Sequence, residues 1–328
     1  MSERDLKCIG NINNVDKSNQ WFGATVASGG ADGQILACAP RLVWVETAFE
    51  SMRQEREPTG TCFVGESDFT NFVNFSPCQS TNREDYGFDK ITHCQAGFSG
   101  KILSDNSALV MGAPGSYYLQ GQIYVQSLLN QSVVQATQES NTGTYSFDNS
   151  YRGYSLALGD FNGDGVQDYV VGTPRAESLM GLVAIFDQNL NQFNQVVGTQ
   201  IVAYFGYSVT VVDVNNDTYD DLLVGAPMYM DDAPAIQRWE AGCVYVYLQN
   251  PDVGPRLSPP DGEVQMIAVH LIKMSDEIEA EWVSTLLVTR AHCLELEIFK
   301  GTTRNQSATN LLVNVVSNHG PMVPRSNQ

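Results

Sequence analysis

Along the first 250 residues the apolar positions fall into short runs, each followed by glycine and proline. Tyr169-Val170-Val171 and Leu222-Leu223-Val224 are such runs. Apolar stretches of this length, punctuated in this way, predict strands joined by turns. Gly121-Gln122-Ile123-Tyr124-Val125 and Gly242-Cys243-Val244-Tyr245-Val246-Tyr247 predict further strands that start just after a turn. No long amphipathic helix is predicted here. Residues 251–263, rich in proline and glycine, read as a linker. Beyond it the pattern changes. Leu294 to Ile298 alternates like a half-buried strand, Asn310 to Val316 offers another, and Asp276 to Trp282 a short helix.

The strands belong to a repeat. A phrase with an aromatic–glycine opening and a Gly-Ala-Pro type of close occurs four times. It reads Trp21-Phe22-Gly23-Ala24 to Ala39-Pro40, then Gly97-Phe98-Ser99 to Gly112-Ala113-Pro114. It returns as Gly153-Tyr154-Ser155 to Gly172-Thr173-Pro174, and as Phe205-Gly206-Tyr207-Ser208 to Gly225-Ala226-Pro227. The opening glycines are 74, 56 and 53 residues apart. From opening Gly to closing Pro the spacing is 17, 17, 21 and 21, so the last two copies carry four extra residues in one place. Repeats of this period with four short strands each suit an all-β β-propeller. An ordinary β-sandwich is the alternative.

The extra residues hold oxygen side chains in alternation. In the third copy they are Asp160, Asn162, Asp164 and Asp168, with the carbonyl of Val166 between. In the fourth they are Asp213, Asn215, Asp217 and Asp221, with the carbonyl of Tyr219. Hard oxygen donors of this charge suit Ca²⁺. Gly163 and Gly165 permit the left-handed backbone of a tight loop; Asn216 and Thr218 stand at the matching places. The twelfth position is Val171, inside a strand, so the pattern predicts a β-hairpin loop and not an EF-hand. A solvated acidic turn is the plain alternative.

Composition narrows the function. The 328 residues carry 18 Lys+Arg against 37 Asp+Glu, a formal charge of -19, which leaves no electrostatic footprint for nucleic acid. No segment reaches the roughly 18 apolar residues of a membrane span, and the start has no apolar leader. The seven cysteines form no C-x-x-C pair, so loop-closing disulfides and an oxidising compartment are expected. Sequons stand at Asn74, Asn130, Asn216 and Asn305; the one at Asn216 falls inside the fourth-copy loop and is expected to stay unmodified. An odd cysteine count without a leader leads to the expectation that this is part of a longer chain.

Over residues 1–250 the repeat with its embedded acidic loops resembles the head of an integrin alpha subunit. Gln20-Trp21-Phe22-Gly23-Ala24, Gln54-Glu55-Arg56-Glu57-Pro58 and Gly115-Ser116-Tyr117-Tyr118 are similar to phrases of that family. The resemblance is greatest to the branch without an inserted metal-binding domain, which binds Arg-Gly-Asp ligands. It implies a partial propeller, about four recognisable blades of seven, in a receptor that pairs with a beta subunit at the cell surface. It implies disulfides Cys38–Cys62 and Cys78–Cys94, with Cys8 the second half of a pair whose partner lies upstream and Cys243 and Cys293 unassigned; the sequons themselves predict glycans at Asn74, Asn130 and Asn305. It implies a ligand arginine held by Asp148, with Tyr118, Gln120 and Thr142 beside it. A second acid is placed in the Cys78–Cys94 loop, taken as Asp85 over Glu84 and Asp89. Trp21, Phe98, Tyr154 and Tyr207 would cage a cationic side chain of the beta subunit or pack as ordinary core. Residues 264–328 are left as a tail, with a faint likeness to a leg β-sandwich of the same family.

The expected function is therefore a non-enzymatic adhesion-receptor alpha-subunit head, binding extracellular matrix with a beta subunit and holding structural Ca²⁺. Two alternatives stand: an accessory calcium-binding propeller of a phospholipase D-type hydrolase, or a truncated product without function. Against an enzyme, His93, His270, His292 and His319 are scattered, and no G-x-S-x-G, P-loop or H-E-x-x-H is present.

Overall fold

The computed structural model describes residues 15–48, 53–80, 87–129, 134–137, 145–214, 216–230, 242–249 and 266–267. The chain starts with β1 (Val15–Asp16) and a hairpin of β2 (Thr25–Ser28) and β3 (Ile35–Cys38). A second hairpin, β4 (Val43–Ala48) and β5 (Arg53–Glu57), is inserted there, and β1 joins its edge to make a three-stranded sheet. Arg56 pairs with Asp16 across that small sheet. β6 (Cys62–Gly65) and β7 (Val73–Phe75) then return beside β3, giving sheet one in the order β2-β3-β6-β7.

Three more sheets follow, each an antiparallel meander. Sheet two is β8 (Ser99–Ile102), β9 (Ala108–Ala113), β10 (Gln122–Ser127) and β11 (Val134–Ala136). Sheet three is β12 (Ser155–Gly159), β13 (Asp168–Thr173), β14 (Leu182–Phe186) and β15 (Gln192–Val197). Sheet four is β16 (Ser208–Val212), β17 (Asp221–Ala226), β18 (Cys243–Tyr247) and β19 (Met266–Ile267). β19 pairs with β18 through Val244–Ile267 and Tyr245–Met266. The boundary expected at residue 250 thus falls one strand short, and the Pro/Gly stretch joins two strands of one sheet.

The first strand of each sheet packs on that of the next, β2 on β8, β8 on β12 and β12 on β16. This is the blade succession of a partial β-propeller. Three separate cores fill the gaps. Leu36, Val64, Leu109 and Met111 are buried between sheets one and two. Val110, Ile123, Val171 and Ala184 lie between two and three, and Val170, Ile185, Leu222 and Tyr245 between three and four. Successive residues of β9 and of β13 thus serve opposite cores, which is why these strands are apolar throughout rather than alternating.

The repeated phrase does a defined job at each junction. Gly23, Gly97, Gly153 and Gly206 have φ of 87°, 85°, 83° and 90°, a region glycine enters without Cβ strain. Their N–H groups donate to the carbonyls of Cys38, Gly112, Gly172 and Gly225 at 2.9, 3.0, 3.2 and 3.2 Å, closing each hairpin onto its opening. A hydroxyl then reaches forward to the next sheet. Thr25 Oγ1 donates to Phe98 O at 2.9 Å, Ser99 Oγ to Gly153 O at 2.7 Å and Ser155 Oγ to Gly206 O at 2.9 Å. The disulfides Cys38–Cys62 and Cys78–Cys94 both form, and all four cysteines are buried in the first core. Cys38 and Cys62 face each other directly in the β3–β6 register. Cys243 is a buried thiol outside both bridges; Cys8 and Cys293 lie outside the described residues.

Candidate functional site

The two acidic loops occupy the β12–β13 and β16–β17 turns with the same spacing of acidic residues, and differ in one partner of the first aspartate. Asp160 accepts the N–H groups of Gly163 (2.7 Å) and Gly165 (2.8 Å). Asp213 accepts those of Asp217 (3.1 Å) and Thr218 (2.9 Å). Asp164 takes the N–H of Val166 at 2.8 Å, and Asp217 that of Tyr219 at 2.9 Å. Asp168 and Asp221 start β13 and β17, and each accepts from the chain seven residues back, Phe161 or Val214, at 2.9 Å. Gly163 and Gly165 are left-handed as expected; Asn216 (φ 59°) and Thr218 (φ 74°) adopt the same conformation, so Thr218 carries backbone strain that its counterpart does not. Asn215 lies outside the described residues.

These donors fit a hard cation. All side-chain ligands are oxygens, and the last aspartate of each loop is fully buried. Burial pushes the Asp168 carboxyl up to about 6, with Asp164 and Asp160 adding to it, and raises Asp221 in the same sense. A carboxylate so placed is costly to charge without a counter-ion. The carboxylates are turned onto the loops' own N–H groups: among the described residues no three His, Cys, Asp or Glu side chains stand at metal-holding distance from one point.

Successive turns of a meander lie at opposite ends of the sheet. Tyr118 and Gln120, in the β9–β10 turn, are therefore at the end away from the acidic loops. Gln120 Nε2 donates to Asp148 Oδ1 at 2.9 Å, which brings Asp148 to the same place. Gln120 is buried, whereas Tyr118 is 41 % exposed. Tyr117, Tyr118 and Leu119 turn left-handed in succession, with φ of 48°, 55° and 63°. Glu177, Ser178 and Leu179 repeat this on sheet three. Runs of non-glycine residues in this region cost energy. The Asn149 N–H bonds to Tyr118 O at 3.0 Å, tying the two segments together. Thr142 and Asp85 lie outside the described residues, as do Asn130 and Asn305. Asn74 lies on the outer strand β7.

The aromatic set differs from expectation. Phe98, Tyr154 and Tyr207 form a column of tilted rings, with centroids 4.7 and 5.2 Å apart and interplanar angles of 48° and 46°. Burial, with Tyr207 beside it, raises the Tyr154 phenol well above its ordinary range. Trp21 is not in that column. The left-handed glycines fix the register: the residue after Gly23 is Ala24, so Ala24 corresponds to Phe98, Tyr154 and Tyr207. Trp21 corresponds instead to Gln95, Tyr151 and Tyr204, all with positive φ. Its ring is covered by Arg41 at 4.8 Å, and Tyr151 by Arg175 at 4.9 Å. Each arginine directly follows the closing proline of its own copy, a signal that was readable in the sequence as Pro40-Arg41 and Pro174-Arg175.

Comparison with known proteins agrees with the repeat. The FG-GAP repeat model matches residues 152–178 and 205–247, the openings and acidic loops of copies three and four. Integrin alpha-V of Gallus gallus is 39% identical over 265 residues, covering 75% of this chain and 24% of the relative. Integrin alpha-8 of Homo sapiens is 39% identical over 244 residues (71% and 22%), and Integrin alpha-PS2 of Drosophila melanogaster 38% over 288 (76% and 20%). The chain therefore belongs to the integrin alpha family and spans about a quarter of the length of these curated relatives.

Proposed function

We propose that this chain is the ligand-facing part of a cell-adhesion receptor alpha subunit that works with a beta subunit. The observation that carries the reading is the identity to integrin alpha subunits over about three quarters of the chain. That kinship places it among non-enzymatic proteins. In this reading Asp148 meets a ligand arginine as a charge-assisted pair, oriented by Gln120 and flanked by Tyr118. The column Phe98–Tyr154–Tyr207 receives a cationic side chain of the beta subunit on its aromatic faces. Asp160, Asn162, Asp164 and Asp168, with the Val166 carbonyl, would hold one Ca²⁺. Asp213, Asn215, Asp217 and Asp221, with the Tyr219 carbonyl, would hold a second. The ions would neutralise the buried carboxylates and stiffen the end opposite the ligand.

Co-expression with a beta subunit, followed by co-purification and binding of an Arg-Gly-Asp peptide, tests the reading. Tyr154→Ala with Tyr207→Ala should lose the beta subunit. Asp148→Ala should keep it and lose the peptide. Retention of both partners by both folded variants would refute these assignments.

A further inference from the structure

The two acidic loops sit on neighbouring sheets, and the groups that join them belong to neither ligand set. Asp220 Oδ2 accepts the main-chain N–H of Asp160 at 2.8 Å. Gln249 closes the other side. Its own N–H donates to Asp221 Oδ1 at 2.9 Å. Its side-chain amide faces the carbonyls of Asp220 and Asp160; assigned with its nitrogen toward these acceptors, it donates to them at 2.9 and 3.2 Å. The first residue of the sheet-three loop is thus held at both its N–H and its carbonyl by groups of sheet four. Gly159 leaves room for this, since a Cβ there would lie 3.0 Å from Asp220 Oδ2 and 2.5 Å from Val211 Cγ1.

The junction between sheets two and three has the same device in neutral form. Gln167 Oε1 accepts from the Ser104 N–H at 2.8 Å, and the Gln188 amide lies 3.4 Å from Gln167 O. There the latch reaches a sheet without an acidic loop. Between sheets three and four it connects one loop to the other.

We propose that Asp220 is a positioning residue that couples the two loops, so that Ca²⁺ in either one raises the affinity of the other. This rests on the calcium reading above. Asp220 is bonded directly to Asp221, the last ligand of the sheet-four loop. An ion that fixes Asp221 also fixes the Asp220 carboxylate, and with it the backbone of Asp160, whose side chain is the first ligand of the other loop. Preorganising one site by filling the other is positive coupling, and it must act equally in both directions. Each loop supplies three carboxylates, so a bound Ca²⁺ leaves each with net negative charge and repulsion between the ions is offset.

Calorimetric titration of the full chain with CaCl₂ tests this. Asp217→Ala should weaken binding at the remaining sheet-three loop by about tenfold. Asp164→Ala should weaken the sheet-four loop by the same factor relative to its affinity in the parent. Adding Asp220→Ala should abolish both effects, while Asp220→Asn, which keeps an oxygen for the Asp160 N–H, should preserve them. Two independent sites in the parent, or coupling that survives Asp220→Ala, would overturn the proposal while leaving the calcium reading intact. The two loop variants leave Asp220 in place, so unchanged affinities in them are decisive even if the Asp220 variants fail to fold. A parent that takes up no Ca²⁺ would overturn both readings.

Discussion

Sheets one and two differ from sheets three and four in how the same repeat is fastened. The first pair has short β2–β3 and β8–β9 turns and two buried disulfides. The second pair has no disulfide among the described residues and carries the acidic loops instead. The junctions are otherwise alike: the same left-handed glycine, the same closing hydrogen bond, the same forward hydroxyl. The repeat therefore sets the packing, while fastening is a separate matter, solved by covalent bonds in one half and by carboxylates hydrogen-bonded to their own loops in the other. The two halves should then respond to different reagents.

The largest effect should come from the covalent half. Replacing Cys38 and Cys62 with Ala should cost about 3 kcal/mol. Hydrogen exchange should accelerate in sheets one and two and change little in sheets three and four. Uniform acceleration would break the distinction.

Chelation should do the reverse. At Ca²⁺ tenfold above Kd, each of the two ions stabilises by about 1.4 kcal/mol, and EDTA should lower Tm accordingly. Asp164→Ala with Asp217→Ala should abolish the difference between calcium and EDTA. In EDTA the acidic half should also become sensitive to pH. Burial raises Asp168 from 3.8 to about 6, so the folded state binds the proton more tightly than the unfolded chain. Its contribution is fully present below pH 4 and is lost as pH rises through 6. Asp168→Asn should remove that dependence, measured as the difference in urea midpoint between parent and variant from pH 4 to 7.

A smaller effect probes what the halves share. A Cβ on Gly112 would lie 2.0 Å from Gly153 O, and one on Gly172 2.2 Å from Gly206 O. Gly112→Ala and Gly172→Ala should each cost about 2 kcal/mol, one in each half. Clearly unequal costs would show that the junctions differ as well as the fastenings. The smallest change expected is a gain. Thr218→Gly removes left-handed strain at φ 74°, partly offset by the freer unfolded chain, for a net of about 0.5 kcal/mol in thermal melts.

The sequence makes the repeated hairpins legible because their signals are local. Glycine marks the left-handed opening, proline closes the turn, and the run between them is apolar, in β9 and β13 because these strands lie between two cores. The acidic loops are readable for the same reason. What it hides depends on residues distant along the chain. Trp21 resembles the column aromatics in composition, but it stands two residues before its left-handed glycine whereas they stand one residue after theirs, a difference that matters only once the glycine is known to set the register. β19 pairs across a proline-rich stretch that reads as an end. The Asp220–Gln249 latch joins segments from three turns, and its one trace is the doublet Asp220-Asp221, indistinguishable from any acidic pair. The β4–β5 insertion is hidden because β5 is wholly polar and the pair lies outside the repeat.

The forward hydroxyls of Thr25, Ser99 and Ser155 give the array a direction. Each sheet donates to its successor, so a sheet's inner strand carries a binding group before the neighbour that uses it has been made. For a chain that emerges from its N-terminus, this order lets each new sheet dock on a finished one. It also makes the two flanks unequal for protein engineering. A sheet fused beside sheet four would meet Ser208, exposed and in the donor position. One fused beside sheet one would have to bring its own hydroxyl.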